Sequence, residues 1–256
     1  MPDTSLVGLR HLSTLIGMIH ASPADASKHV SIAHSLPPLQ PLDVALQRFR
    51  SAMAEMPLVA ILRGIDPAQA VSVGELLLEI GFRIMEVPLN SPKPYESIRL
   101  LQAAVGDKAL IGAGTVLTTE EVALVAQAGG RLIVSPNTDC DVIKSTVAAG
   151  LVSVPGFATP SEAFAAIHAG AHGLKLFPAD GVPPKVLRAM MAVLPLEVPI
   201  VVVGGVGSFE TMEPFWAAGA AGFGIGSGLF KTEMSLMEIR KHATDLVSAA
   251  RRLPPR

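Results

Sequence analysis

From Leu42 onward the apolar residues fall into two alternating patterns. Leu42, Ala45, Leu46, Phe49 and Met53 recur at three- and four-residue spacing, which predicts a helix running to about residue 54. Beyond it, short unbroken apolar runs at 58–62, 83–88, 110–114, 132–135, 152–154, 173–177, 200–203 and 222–225 predict eight strands. Helix-patterned stretches at 67–80, 94–105, 119–128, 139–149, 160–169, 184–194 and 209–218 separate them. Several open with Pro, Ser, Thr or Asp, and Gly81, Gly129, Gly150, Gly170 and Gly219 stand where helices stop. The strands are continuously apolar, as parallel strands covered on both faces are. Eight strands and seven intervening helices predict an α/β fold, a (β/α)8 TIM barrel with an N-terminal helix. An open doubly wound sheet would favour a G-x-G-x-x-G turn after its first strand. Arg63-Gly64-Ile65 stands there instead, so the barrel is preferred and a dinucleotide site loses its support. A closing helix is expected after Lys231, where Met234, Met237 and Leu246 lie among charges.

The first 41 residues read differently. Pro23, Pro37, Pro38 and Pro41 punctuate them, and Ser and His are frequent. They predict a poorly ordered extension, 1–41, ahead of one barrel domain, 42–256. A short amphipathic helix could form over 6–19. No basic segment leads into a clean apolar run, so a secretory leader is weakly supported.

The chain has 256 residues, the usual size of one such barrel. Half of it is hydrophobic and the formal net charge is −2, which argues against a nucleic-acid partner with its basic face. Mean hydropathy is +0.47, yet no apolar run approaches the roughly 20 residues of a spanning helix. No membrane partner is expected, and a cytoplasmic location is. Cys140 is the one cysteine, which excludes an internal disulfide framework and a Cys-rich zinc site. The histidines show no metal-ligand spacing, and no metal site is expected.

In a barrel the chemistry lies at the carboxyl ends of the strands. Those positions hold Arg63, Glu86 with Asn90, Thr115, Pro136, Lys175, Gly204 with Gly205, and Gly226 with Ser227. Glu86 and Lys175 stand out because they lie inside apolar strands. A buried unpaired charge costs several kcal/mol, so such residues are paired or functional. One reading makes them an ion pair with each other. The other makes Lys175 a desolvated amine nucleophile and Glu86 its proton carrier, which is Schiff-base chemistry on a carbonyl compound. The glycines after the last two strands, each expected to open a helix, form a candidate anion site of bare backbone N–H groups. Arg63 is either a further anion contact or a surface salt-bridge partner.

These residues belong to longer motifs: Leu58 to Gly64 (LVAILRG), Met85 to Pro92 (MEVPLNSP), Ile111 to Val116 (IGAGTV), Ile133 to Asn137 (IVSPN), Pro155-Gly156, Leu174 to Pro178 (LKLFP), Gly204-Gly205-Val206 and Gly226-Ser227. In this order and spacing they resemble the class I aldolases of 2-keto-3-deoxy-6-phosphogluconate and 2-dehydro-3-deoxy-6-phosphogalactonate. The resemblance implies that Lys175 is the Schiff-base lysine and Glu86 the proton-shuttling glutamate. It implies that Arg63, Thr115 and Pro136 line the substrate site and that Gly204, Gly205, Gly226 and Ser227 hold the phosphate. It further implies a homotrimer, a phosphorylated keto acid substrate, and no metal or organic cofactor. Gluconate-type members carry an Arg where this chain has Asn90, and Glu86-Val87-Pro88-Leu89-Asn90 is similar to the galactonate type. The expected reaction is therefore lyase cleavage of the phosphogalactonate, with the gluconate epimer or dual specificity as the alternative. A phosphoester-binding barrel without chemistry is the non-enzyme alternative.

Overall fold

The computed structural model describes residues 41–255. Residues 1–40 of the expected extension, with the helix over 6–19, lie outside the described residues, and Pro41, placed at the end of that extension, is the first residue of the first helix. The chain alternates helices and strands: α1 (Pro41–Glu55), β1 (Leu58–Ile61), α2 (Pro67–Ile80), β2 (Ile84–Pro88), α3 (Pro94–Val105), β3 (Leu110–Gly114), α4 (Thr119–Gln127), β4 (Leu132–Val134), α5 (Cys140–Ala148), β5 (Val152–Val154), β6 (Gly156–Phe157), α6 (Pro160–His168), β7 (Leu174–Leu176), α7 (Pro184–Met191), β8 (Ile200–Val203), α8 (Phe209–Ala218), β9 (Gly222–Ile225) and α9 (Leu236–Arg251). Every strand pair is parallel, in the order β5-β4-β3-β2-β1-β9-β8-β7-β6.

The eight expected strands become nine segments for a local reason. Pro155 has no N–H to donate and splits the fifth strand into β5, which pairs with β4, and β6, which pairs with β7. Its carbonyl still accepts from the Lys175 N–H at 2.8 Å. One interrupted strand therefore joins both ends of the sheet and closes the barrel.

The helix starts follow their sequence signals. Asp66 caps α2 through Ala68 N–H, Asp139 caps α5, and Thr118, Thr159 and Ser235 form capping boxes with Glu121, Glu162 and Glu238. One expected helix is absent. Gly226–Gly228 forms a turn in which Gly226 C=O accepts from Leu229 and Phe230, and the next helix begins at Leu236. The last glycine motif therefore offers a turn and no helix N-terminus.

The buried residues divide into two clusters. The larger packs the eight surrounding helices against the outside of the sheet. The smaller fills the barrel interior and includes Ala45, Phe49, Ala52 and Met53 of α1 together with Val59, Ile84, Leu110, Leu132, Val152 and Val201. α1 thus plugs the amino end of the barrel. Gly173 and Gly222 receive this plug: a Cβ on Gly173 would lie 3.5 Å from Phe49, and one on Gly222 would collide with Met53.

Candidate active site

Side chains alternate across a strand, so Ile84 in the interior places Glu86 there as well. Lys175 enters from β7, nearly opposite. The two share a narrow cavity of about 20 Å³, room for about one water, bordered by Phe49, Val134, Val154 and Val203. Glu86 is 1% exposed and Lys175 is 5% exposed. They are not an ion pair: among the described residues the salt bridges join Arg83 to Glu55, Arg240 to Glu79 and Lys241 to Asp245. The mutual-pairing reading is therefore set aside.

Each buried group departs from its ordinary acidity. Burial raises the Glu86 carboxyl to about 7, against the opposing pull of the Lys175 and Arg63 charges. Its Oε2 has no hydrogen-bond partner. Burial pushes the Lys175 ammonium down; Glu86 opposes that shift and Arg63 adds to it. The Lys175 Nζ lies 4.5 Å from the Phe177 ring centroid, which fixes its approach into the cavity. A carboxyl poised near neutrality and an amine biased toward its neutral form suit proton transfer and nucleophilic attack respectively.

Gly114 was not singled out as a site residue by sequence reasoning. A Cβ there would collide with both carboxylate oxygens of Glu86. The inward positions of β3 run Leu110, Gly112, Gly114, so the wall facing Glu86 carries no side chain. The available signal was glycine inside a strand, which marks a close approach.

At the strand ends, Arg63 Nη1 donates to Asn90 Oδ1 at 2.6 Å, and both residues are exposed. Arg63 is therefore held by a neutral amide rather than by a surface carboxylate. Ser91 Oγ accepts from Gly64 N–H at 2.9 Å, which ties the same two loops together. Thr115 has φ 57°, a left-handed conformation that a β-branched residue adopts at a cost of about 1–3 kcal/mol. Such strain after β3 fixes the direction of the backbone beside Glu86. Pro136 is half-buried, and its carbonyl packs where a Cβ of Gly156 would stand.

Gly204 and Gly205 turn the chain after β8 with φ 109° and 66°. Pairing of Val203 with Gly224 brings this turn beside that at Gly226 and Ser227. Gly207 N–H is taken by Thr211 Oγ1 at 3.0 Å, while the N–H groups of Gly205, Val206 and Ser227 have no partner among the described residues. His172, in contrast, is structural, with Nδ1 accepting from Ser153 N–H at 3.0 Å. No helix among the described residues is long and apolar enough to cross a membrane.

Comparisons with known proteins agree with the barrel and give its family. Residues 49–244 match the family model for KDPG and KHG aldolase. The chain is 46% identical over 195 residues to a probable 2-dehydro-3-deoxy-6-phosphogalactonate aldolase of Rhizobium meliloti, covering 76% of this chain and 92% of the relative. It is 43% identical over 197 residues to the 2-dehydro-3-deoxy-6-phosphogalactonate aldolase of Escherichia coli, covering 77% and 96%. The solved native KDPGal structure superimposes with a TM-score of 0.75 at 43% identity, over 77% of this chain and 95% of that one. A closed parallel barrel with an interior lysine and glutamate, matched along most of its length in sequence and in structure, belongs to the KDPG and KHG aldolase family and is a carbon–carbon lyase.

Proposed function

We propose that the protein cleaves 2-dehydro-3-deoxy-6-phosphogalactonate to pyruvate and glyceraldehyde 3-phosphate through an imine on Lys175. The observation that carries this reading is the desolvated Lys175 amine facing a Glu86 carboxyl poised near 7 in one cavity. The neutral Nζ attacks the C2 carbonyl carbon, and Glu86 passes a proton to the carbonyl oxygen, giving a carbinolamine. Glu86 then carries a proton from the attacking nitrogen to that hydroxyl, which leaves as water and gives the protonated imine. Glu86 then takes the proton of the C4 hydroxyl, and the C3–C4 bond breaks. Its electron pair moves into the imine as an enamine, while C4 leaves as the aldehyde carbon. Reprotonation of C3 and hydrolysis release pyruvate and restore the amine.

In this reading the free N–H groups of Gly205, Val206 and Ser227 receive the phosphate, and Thr115 and Pro136 border the pyruvyl portion. Arg63, steadied by Asn90, faces a carboxylate. The galactonate epimer is favoured by the two relatives named for it and by Asn90. The gluconate epimer is the second reading, because the matching family model takes its name from KDPG aldolase.

The test combines two assays. Pyruvate with borohydride should trap a covalent adduct on the wild type and none on Lys175→Arg, which keeps the charge without a titratable amine. Trapping at wild-type levels in that variant sinks the imine assignment. Comparing kcat/KM on the two epimers decides the substrate, and a gluconate preference overturns the galactonate reading. Assembly as a homotrimer follows from the family resemblance, and exposed Leu117 and Leu124 are available to be covered by it. Light scattering that returns a monomer mass would refute it.

A further inference from the structure

The glycine turn after β8 already has a negatively charged neighbour. Asp180 lies in the 3-10 turn Ala179–Gly181 that follows the Lys175 strand. A Cβ on Gly204 would stand 2.5 Å from Asp180 Oδ2, and one on Gly205 would stand 2.7 Å from Oδ1. The carboxylate therefore packs directly on the Cα atoms of both glycines. Asp180 is exposed and has no hydrogen-bond or ion-pair partner among the described residues. It borders a cavity of about 500 Å³ between the 179–184 loop and the start of α8, together with Gly204, Gly205 and Glu210. Glu210 is committed elsewhere, accepting from its own backbone N–H and from Ser208. Asp180 alone remains an uncommitted charge against the turn.

We propose that Asp180 is a charge filter on the phosphate seat, a specificity-determining residue that weakens binding of every phosphorylated ligand and so limits the preference for phosphorylated over unphosphorylated substrate. The inference rests on the reading that this turn receives the phosphate. An anion held by the Gly205 and Val206 N–H groups lies beside the Asp180 carboxylate, and the two repel. The repulsion acts alike on substrate, transition state and phosphorylated product. It therefore raises KM and hastens product departure without entering the bond-breaking step. Glycine at 204 and 205 is doubly required: φ is positive at both, and the carboxylate fills the space a side chain needs.

The test compares wild type with Asp180→Asn, and with Asp180→Ser as a second neutral variant. A unit charge facing a phosphate dianion across a few ångströms of wet surface changes affinity about tenfold. The Ki of inorganic phosphate against cleavage should therefore fall about tenfold in both variants at low ionic strength. The ratio of kcat/KM for phosphorylated over unphosphorylated substrate should rise by a similar factor, with kcat on the phosphorylated substrate level or reduced. The difference from wild type should narrow as salt is raised, which loss of a purely structural contact would not produce. Equal Ki values in all three proteins overturn the filter and leave the phosphate seat standing. A weaker Ki in both variants also overturns it, because Asp180 would then support the seat's shape. Absence of competition by phosphate in any of the proteins overturns both the filter and the seat.

Discussion

The two ends of the barrel are closed by different means. At the amino end α1 inserts Ala45, Phe49, Ala52 and Met53 beneath the first residues of the strands, an apolar plug whose edge is pinned by the Glu55–Arg83 ion pair and by Arg48 donating to the Gly106 and Asp107 carbonyls. At the carboxyl end the strands finish in Arg63, Asn90, Thr115 and the glycines of 204, 205 and 226, which are exposed or half-buried. The amino end supplies free energy of burial, and the carboxyl end supplies directed polar groups. Glu86 and Lys175 sit between the two, with the Phe49 ring of the plug bordering the cavity they share. Burial above that dry floor is what raises the Glu86 carboxyl to about 7.

The comparison yields four tests, from the largest expected effect to the smallest. Glu86→Gln keeps shape and removes the proton carrier, so kcat should drop about 10²–10⁴-fold in a cleavage assay. The same variant reports on burial. A carboxyl whose folded pKa is raised contributes stability that is fully present below its unfolded value near 4.5 and is lost as pH rises through about 7. Wild type should therefore lose roughly 3 kcal/mol relative to Glu86→Gln between pH 4 and pH 8, read by urea unfolding. Parallel stability curves for the two proteins would mean that Glu86 is hydrated in solution.

Phe49→Ala tests the floor. Removing a fully buried ring should cost about 3–5 kcal/mol of stability. Because Phe49 borders the cavity of Glu86 and Lys175, water should enter and the Glu86 pKa should move down. The acid limb of the pH–kcat/KM profile should shift to lower pH in the folded protein. An unmoved profile would show that the two ends work independently.

Gly114→Ala tests the wall. Its new Cβ occupies the place of the Glu86 carboxylate, so kcat should fall about tenfold to a hundredfold, through displacement of a proton carrier worth more than that. Full activity in Gly114→Ala would show that Glu86 works from another position.

Asn90→Arg gives the smallest effect. It replaces the acceptor of the Arg63 guanidinium with a second cation, so Arg63 loses its 2.6 Å contact. Activity on the galactonate epimer should fall and the epimer ratio should shift by at least about 10-fold, the lower end of the discrimination that one altered pocket contact produces. An unchanged ratio would show that this pair does not read the substrate.

The elements themselves were legible in the sequence. α2 (Pro67–Ile80), α3 (Pro94–Val105) and α8 (Phe209–Ala218) begin and end where the expected stretches do, because Pro or a capping residue opens each and Gly follows it. Glu86 and Lys175 were legible for a comparable reason, since a charge inside a continuously apolar strand has few bland explanations. The break at Pro155 and the missing helix after Gly226 were not, because both depend on which neighbouring strand or loop accepts each backbone group.

Sequence alone therefore determined the repeating unit, its count and the two charges set inside apolar strands, because periodicity and capping are local. Tertiary structure alone decided that Glu86 and Lys175 share a cavity without pairing, that Arg63 rests on Asn90, that Gly114 clears the space for Glu86 and that Asp180 stands against Gly204 and Gly205. Each of these joins residues from different β/α units, and only closure of the barrel sets the distance between them. Electrostatic environment follows from that distance and from the water it excludes, neither of which a linear pattern encodes.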